Sequence, residues 1–342
     1  MTSRLILSRR QWLSGASLFA LAGCAGQSTD TTIWVGHIGP VGRRNESAIN
    51  GIQQTLADLR EGDVSIAGRS IGVRHVECKD KARARAEASR LLSVNRVACL
   101  IVGSGVEGVA DVVSIARSHG AFVVVLDGTA DRTLADQAVW LGIDPEASGE
   151  MLARYAIAKG RRAYRSSVED SAKEVERGFA REFTKAGGKI VETHGANWQA
   201  TEVGRGRRVG EVAKGGVTPY LEIGDPPLPR NEHAERWALT MQPDPASLPA
   251  EGRTWAERYE KRFGARPDDD AILAADAIAL IADGLREIAG DDRRKLVEEL
   301  MGRSEIAGLT GPITRKDGRT IRPMWVERTV KGVRVGVEAV PQ

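Results

Sequence analysis

The sequence predicts an α/β fold of doubly wound parallel sheets, and three observations carry that expectation. An unbroken apolar run from Val97 to Val102 stops at Gly103-Ser104-Gly105, after which apolar residues recur at helical spacing in Val106, Val109, Val113 and Ala116. A second unbroken run, Ala121 to Leu126, follows a helix stop at Gly120 and closes in the polar turn Asp127-Gly128-Thr129. Strands that are apolar throughout and joined by a helix belong to parallel sheets covered on both faces. The third observation is repetition. The strand–helix unit recurs before and after this stretch, and 342 residues with 42% apolar content suffice for two lobes, each with its own core.

In chain order, residues 1–24 read as an export signal. Arg4, Arg9 and Arg10 precede a short apolar segment, Trp12 to Ala22, too short to span a bilayer. Leu21-Ala22-Gly23-Cys24 looks like a bacterial lipobox, with Cys24 the lipidated residue and membrane anchor. Ser8-Arg9-Arg10-Gln11-Trp12-Leu13 resembles the twin-arginine export motif. Residues 25–30 form a polar tether. The first strand, Thr32 to Ile38, leads through the loop Gly39 to Asn45 into a helix ending near Arg60, with Ile49, Ile52, Leu56 and Leu59 as its apolar stripe. Ile71 to Cys78 is the second strand and Lys81 to Leu92 the helix after it. The opening stretch supplies the third and fourth strands. A short fifth, Val139 to Ile143, precedes a helix opened by Asp144-Pro145 and ending near Lys159.

A second series follows: a strand at Ala163 to Val168, a helix at Ala172 to Ala186 and a strand at Lys189 to Thr193. The pattern then thins, and residues 197–216 show at most one short helix. Strands are expected at Tyr220 to Ile223 and Arg236 to Met241. Helices follow at Glu251 to Phe263, from the cap Asp268-Asp269-Asp270 to Ala289, and at Arg293 to Met301. Three final strands, Leu309 to Thr314, Ile321 to Arg328 and Val333 to Ala339, are joined by glycine turns.

Several function classes lose support at once. Net charge is near +3, basic residues are scattered among acids and aromatics are few, so nucleic acid is not an expected partner. The five histidines lack metal-ligand spacing, no serine sits in a nucleophile elbow, and neither metal nor cofactor is expected. Cys78 ends one expected strand and Cys99 lies on another, and a third strand is expected to lie between the two in the sheet, which argues against a disulfide. The glycine turn at 103–105 points instead to anion binding, because a helix start leaves backbone N–H groups unpaired and carries the positive end of the helix dipole. Thr129 adds a hydroxyl from the neighbouring strand end. A rival reading takes Gly103-x-Gly105-x-x-Gly108 with Asp127 as a dinucleotide fingerprint and Tyr155-x-x-x-Lys159 as a dehydrogenase pair. Against it, two strand–helix units precede the fingerprint, which belongs on the first strand of such a lobe.

Taken together, several stretches resemble the type I periplasmic substrate-binding proteins, specifically the Leu/Ile/Val receptors of ABC importers. They are Gly36 to Pro40, Gly51 to Leu59, Glu87 to Leu92 followed by Val97 to Gly103, Gly128-Thr129-Ala130, Ala238 to Met241, Tyr259 to Pro267 and Gly308 to Gly318. The resemblance implies two lobes joined by three hinge crossings, placed near Gly142, Thr240 and Thr314. Lobe 1 is then 31–142 with 240–314, and lobe 2 is 143–239 with 315–342. It implies a small-molecule ligand held by Ser104, Gly105, Val106, Glu107 and Thr129 on its carboxylate side, with Asp127 at the adjoining strand end and Asp225 as the acidic partner of an ammonium group. An ABC permease is the implied partner, and a monomer that catalyses nothing the implied form.

The chain also departs from the family pattern. Val106 and Glu107 replace paired serines, and a carboxylate in the first helical turn would satisfy the free amides and repel an incoming carboxylate. Arg43 and Arg44 stand in the first ligand loop, Asp170 lies where Tyr-Gly is usual, and lobe 2 lacks one strand–helix unit between Gln199 and Gly216. These departures point to an altered pocket, and a non-transport ligand sensor or interaction module of the same fold stands as the alternative to an importer subunit.

Overall fold

The structure, a computed structural model, describes residues 31–128, 134, 137–161, 163–165, 173–191, 207–213, 220–223, 235–242, 244–316, 319–330 and 333–340. Cys24, Thr129, Asp170 and Asp225, with the whole export segment, lie outside them.

Five strands, β1 (Thr32–Pro40), β2 (Ser70–Cys78), β3 (Cys99–Val102), β4 (Phe122–Val125) and β5 (Val139–Trp140), form an all-parallel sheet in the order β2-β1-β3-β4-β5. Its helices are α1 (Arg43–Glu61), α2 (Lys81–Ser93) and α3 (Val109–Ser118). Strands β3 and β4 are buried along their whole length, and alternate residues serve opposite faces. Leu100, Val102, Val123 and Val125 join one core cluster with the apolar residues of α2 and α3, while Ile33, Val35, Ile101 and Val124 join the other. That second face is covered by α1 together with helices from much later in the chain, α6 (Ala250–Phe263), α7 (Asp269–Glu287) and α8 (Arg293–Met301). Close approach of α1 to α7 requires Gly51, where a Cβ would lie 2.2 Å from the Ala271 carbonyl oxygen. Trp255 of α6 donates its indole N–H to Thr55 of α1 at 3.1 Å.

After β5 the chain enters α4 (Pro145–Ala158) and α5 (Lys173–Lys185), which pack on one another. The second sheet comprises β6 (Ala163–Arg165), β7 (Lys189–Val191), β8 (Arg207–Ala213), β9 (Tyr220–Ile223), β10 (Glu235–Thr240), β14 (Trp325–Val330) and β15 (Val333–Ala339), ordered β15-β14-β10-β9-β8-β6-β7. A three-stranded antiparallel sheet of β11 (Glu305–Gly308), β12 (Gly311–Lys316) and β13 (Arg319–Ile321) completes the fold. The architecture is therefore two α/β lobes, as expected, with the chain passing between sheets three times.

Four details differ from the sequence reading. Helix α3 begins at Val109, not directly after Gly105, because Gly105 (φ +82°) and Gly108 (φ +76°) both adopt the left-handed region and hold residues 104–108 as an open turn. Helix α1 already begins at Arg43, so Arg43 and Arg44 form its first turn. The second sheet is mixed, with only β6/β7 and β9/β10 parallel, and residues 207–213 supply β8, antiparallel to both neighbours. An antiparallel strand needs no helical crossover, so a strand stands where a strand–helix unit was expected to be missing. Finally, Thr314 lies within β12, paired with Glu305 and Ile321, and the stretch that leads on to β14 is Arg322 to Met324.

Candidate ligand cleft

In the first sheet β2 and β3 flank β1 on opposite sides, so the winding reverses there, and ligands of such sheets bind beyond the carboxyl ends of the strands at that point. The structure has a cavity of about 150 Å³ at that place. Arg44 follows β1, Ser104 follows β3, Asp127 and Gly128 follow β4, and Gly142 and Ile143 follow β5. The opposite wall is Pro145 and Ser148 of α4 with Val175 of α5; Leu239, Met241 and Met324 come from the other two crossings, and Asp269, Asp270 and Leu273 from α7. Two glycines bring the first crossing onto the strand end. A Cβ at Gly128 would lie 1.8 Å from the Ile143 carbonyl oxygen, and one at Gly142 would lie 2.2 Å from the Asp127 carbonyl carbon.

The glycine turn does hold an anion, and the anion is the chain's own. Asp127 accepts the Gly105 N–H on Oδ2 at 3.3 Å and the Gly128 N–H on Oδ1 at 2.9 Å. The sequence reading assigned that repelling carboxylate to Glu107. Because α3 starts later, Glu107 precedes the helix, is exposed and does not line the cavity. Val106 is buried among the apolar residues of α2 and α3, also away from the cavity. Ser104 lines the cavity, and Gly105 contributes its amide to Asp127. Arg43 is exposed and off the cavity; one residue on, Arg44 points into it, donating to Ser104 Oγ at 3.3 Å with its Nε 3.8 Å from Asp270. A single step along a helix turns a side chain by about 100°, which decides between the two arginines.

Sequence reasoning missed Asp269 and Asp270 as cleft residues and read all three aspartates as a cap. Asp268 is that cap, accepting the Ala271 N–H at 3.0 Å. Asp269 and Asp270 follow in the first turn, where the helix dipole favours them. Asp269 Oδ1 receives the Met241 N–H at 3.1 Å and the Thr240 hydroxyl at 3.3 Å, tying the second crossing to α7. The available signal was the run itself, since one acid is enough to cap.

Beneath the crossings lies a wholly buried ion pair. Arg322 Nη2 donates to Asp276 Oδ2 at 2.8 Å and to Thr310 Oγ1 at 3.1 Å, Nη1 reaches the Leu141 carbonyl at 3.4 Å, and the Leu309 N–H donates to Asp276 Oδ1 at 2.8 Å. Burial pushes the Asp276 carboxyl above its usual range, against the pull of the Arg322 guanidinium and the Leu309 amide. This network links α7, the first crossing and the third.

The dinucleotide reading fails on this geometry. Its acidic residue, Asp127, bonds the amide of the very turn that would cradle a pyrophosphate, and the turn follows β3, not the first strand. Tyr155 is buried edge-on against Trp237, and Lys159 pairs with Glu338 at the surface. Cys78 and Cys99 are free and buried, on strands separated by β1. Among the described residues no group of three His, Cys, Asp or Glu side chains is placed to hold a metal ion, and no helix is long and apolar enough to cross a membrane.

The same architecture occurs in solved solute-binding proteins. The branched-chain amino acid transporter substrate-binding protein LivJ of Streptococcus pneumoniae, solved with isoleucine, aligns with a TM-score of 0.68 at 16% identity over 90% of this chain and 99% of its own. The leucine-binding protein LivK of Thermotoga maritima aligns at 0.66 and 14% identity, over 90% and 97% of the two chains. A solute-binding protein of an ABC transporter from R. palustris, solved with benzoate, aligns at 0.64 and 16% identity, over 91% and 98%. No curated protein matches the sequence. Residues 223–333, from the end of β9 to the start of β15, match the sequence model of the periplasmic binding protein family. The chain thus has the fold of the type I periplasmic binding proteins, and over residues 223–333 it is similar in sequence to the periplasmic binding protein family.

Proposed function

We infer that the chain is the extracytoplasmic solute-binding component of an ABC importer, anchored through lipidated Cys24, which binds one small polar solute between its lobes and delivers it to a permease as a monomer. The observation that carries this reading is the cavity at the winding reversal of the first sheet, lined from both lobes and from all three crossings. Lining by both lobes makes the open and closed forms differ in affinity, and such a protein works through that difference. Lobe 1 is taken as 31–142 with 240–314 and lobe 2 as 143–239 with 315–342, and catalysis has no part in the reading. Thermal denaturation with a panel of amino acids, amides, amines and small organic acids tests it. A true ligand at 100 times its Kd stabilises by about 2.7 kcal/mol, and X-ray scattering should show closure. A panel that neither stabilises nor closes the chain refutes importer function in favour of a sensor or interaction module. Cys24→Ser should abolish palmitate labelling and release the protein from membranes; retention on membranes would refute the anchor.

A further inference from the structure

The described lining of the cleft is unevenly charged: Asp127, Asp269 and Asp270 face it, and Arg44 is the cation among them. Arg44 is already engaged, with its Nε near Asp270 and its Nη1 on Ser104. Asp269 holds the second crossing through its Oδ1. Asp127 is different. It is half-buried at the cavity wall, and among the described residues it has no cationic partner, only the two amides of Gly105 and Gly128. Amides orient a carboxylate without cancelling its charge, so a full negative charge stays at the cavity wall. By using the Gly105 N–H, Asp127 also removes the donor that a ligand carboxylate would need there, and it repels one that approaches.

The remaining lining narrows the choice of cation. Leu126, Ile143, Val175 and Leu273 give an apolar wall suited to a short aliphatic stem, and no aromatic ring lines the cavity among the described residues. A quaternary ammonium group is held mainly over aromatic faces, whereas an ammonium or amidinium group donates hydrogen bonds to carboxylates. We propose that the cleft selects a small organic cation bearing N–H donors on a short apolar stem, with Asp127 accepting those donors and excluding a carboxylate from that end. This rests on the solute-binding reading above and names its ligand class.

The test compares matched stems by isothermal titration calorimetry on the full-length chain in detergent: n-pentylamine and agmatine against valerate, leucine and choline. Pentylamine or agmatine should bind at least about tenfold more tightly than valerate or choline, the discrimination of one charge-assisted hydrogen bond. Asp127→Asn, which keeps the side-chain volume and an oxygen for the Gly128 amide, should weaken the amine about 10- to 100-fold. The wild-type comparison decides the matter even if that variant folds poorly. Preference for valerate, leucine or choline over the amines overturns the inference and leaves the solute-binding reading standing. An Asp127→Asn chain with native circular dichroism and unchanged amine affinity also overturns it. Binding of none of the probes overturns the inference, and the wider panel and scattering test above then decides the solute-binding reading.

Discussion

Removing one partner of the Arg322–Asp276 pair should cost far more than the one hydrogen bond between them suggests, and the two removals should respond differently to pH. Both side chains are essentially inaccessible to water, and Arg322 also bonds Thr310 and Leu141. Asp276→Asn keeps the shape and leaves a guanidinium with no counter-ion in the interior. A buried charge stranded in this way costs about 3–5 kcal/mol, and because arginine does not deprotonate, the loss should be the same at pH 5 and pH 8. At roughly 2 °C per kcal/mol for a chain of this size, the melting temperature falls by about 6–10 °C. Arg322→Met strands the carboxyl instead. Burial already raises Asp276, and without the guanidinium it rises further, so the group escapes its cost by taking up a proton. The sign follows: a raised folded pKa stabilises the fold below that value and the contribution is lost as pH climbs through it. Arg322→Met should therefore be less destabilised at pH 5 than at pH 8. Urea melts of both variants at the two pH values measure this. Equal, pH-independent losses, or losses under about 1 kcal/mol, would refute the argument that the pair is held as a compensated buried charge.

Three further outcomes follow from other groups. His37 is fully buried, and its ring lies against His75 with the two Nδ1 atoms 3.0 Å apart; burial first and the His75 charge second lower it from 6.5 to about 3. The unfolded chain thus binds a proton that the fold refuses, and stability should fall as pH drops below 6.5, by about 3 kcal/mol at pH 4; His37→Leu should flatten that part of the profile, and an unchanged profile would count against it. Gly149 and Gly178 let α4 and α5 touch, since a Cβ on either would lie 1.9 Å from a carbonyl oxygen of the facing helix. Gly149→Ala should cost about 1–3 kcal/mol by forcing the helices apart, read as a lower urea midpoint; an undisturbed midpoint would contradict the packing. Burial pushes the Cys99 thiol up to about 12, and Cys78 is raised as well. Neither should react with Ellman's reagent in the native state, and both should react fully in urea; rapid native labelling of Cys99 would show that β3 opens.

Much of the fold was legible because burial on both faces writes itself into a strand as an unbroken apolar run. The runs at Val97 to Val102 and Ala121 to Leu126 became β3 and β4, and Ile52, Leu56 and Leu59 of the expected stripe lie on the face that α1 turns to the core, whereas Ile49 is only half-buried and outside it. Strand β8 was not legible. Residues 207–213 (RRVGEVA) carry three charges and a glycine in seven positions, and one of their two partners, β6 (Ala163–Arg165), lies far back in the sequence. Strand pairing of that kind depends on neighbours, not on local pattern.

The sequence by itself determined that a glycine turn opens at a parallel strand end, because a left-handed Gly105 and unpaired amides after a strand are consequences of a few adjacent residues. It placed a carboxylate there on Glu107, which is exposed and off the cavity. Only the tertiary structure decided which carboxylate it is. Asp127 reaches Gly105 because β3 and β4 lie side by side, and Asp269 and Asp270 face the same cavity because α7 packs on α1 from more than 200 residues away. Sequence spacing holds no record of such distances, which are fixed when separate apolar faces bury one another.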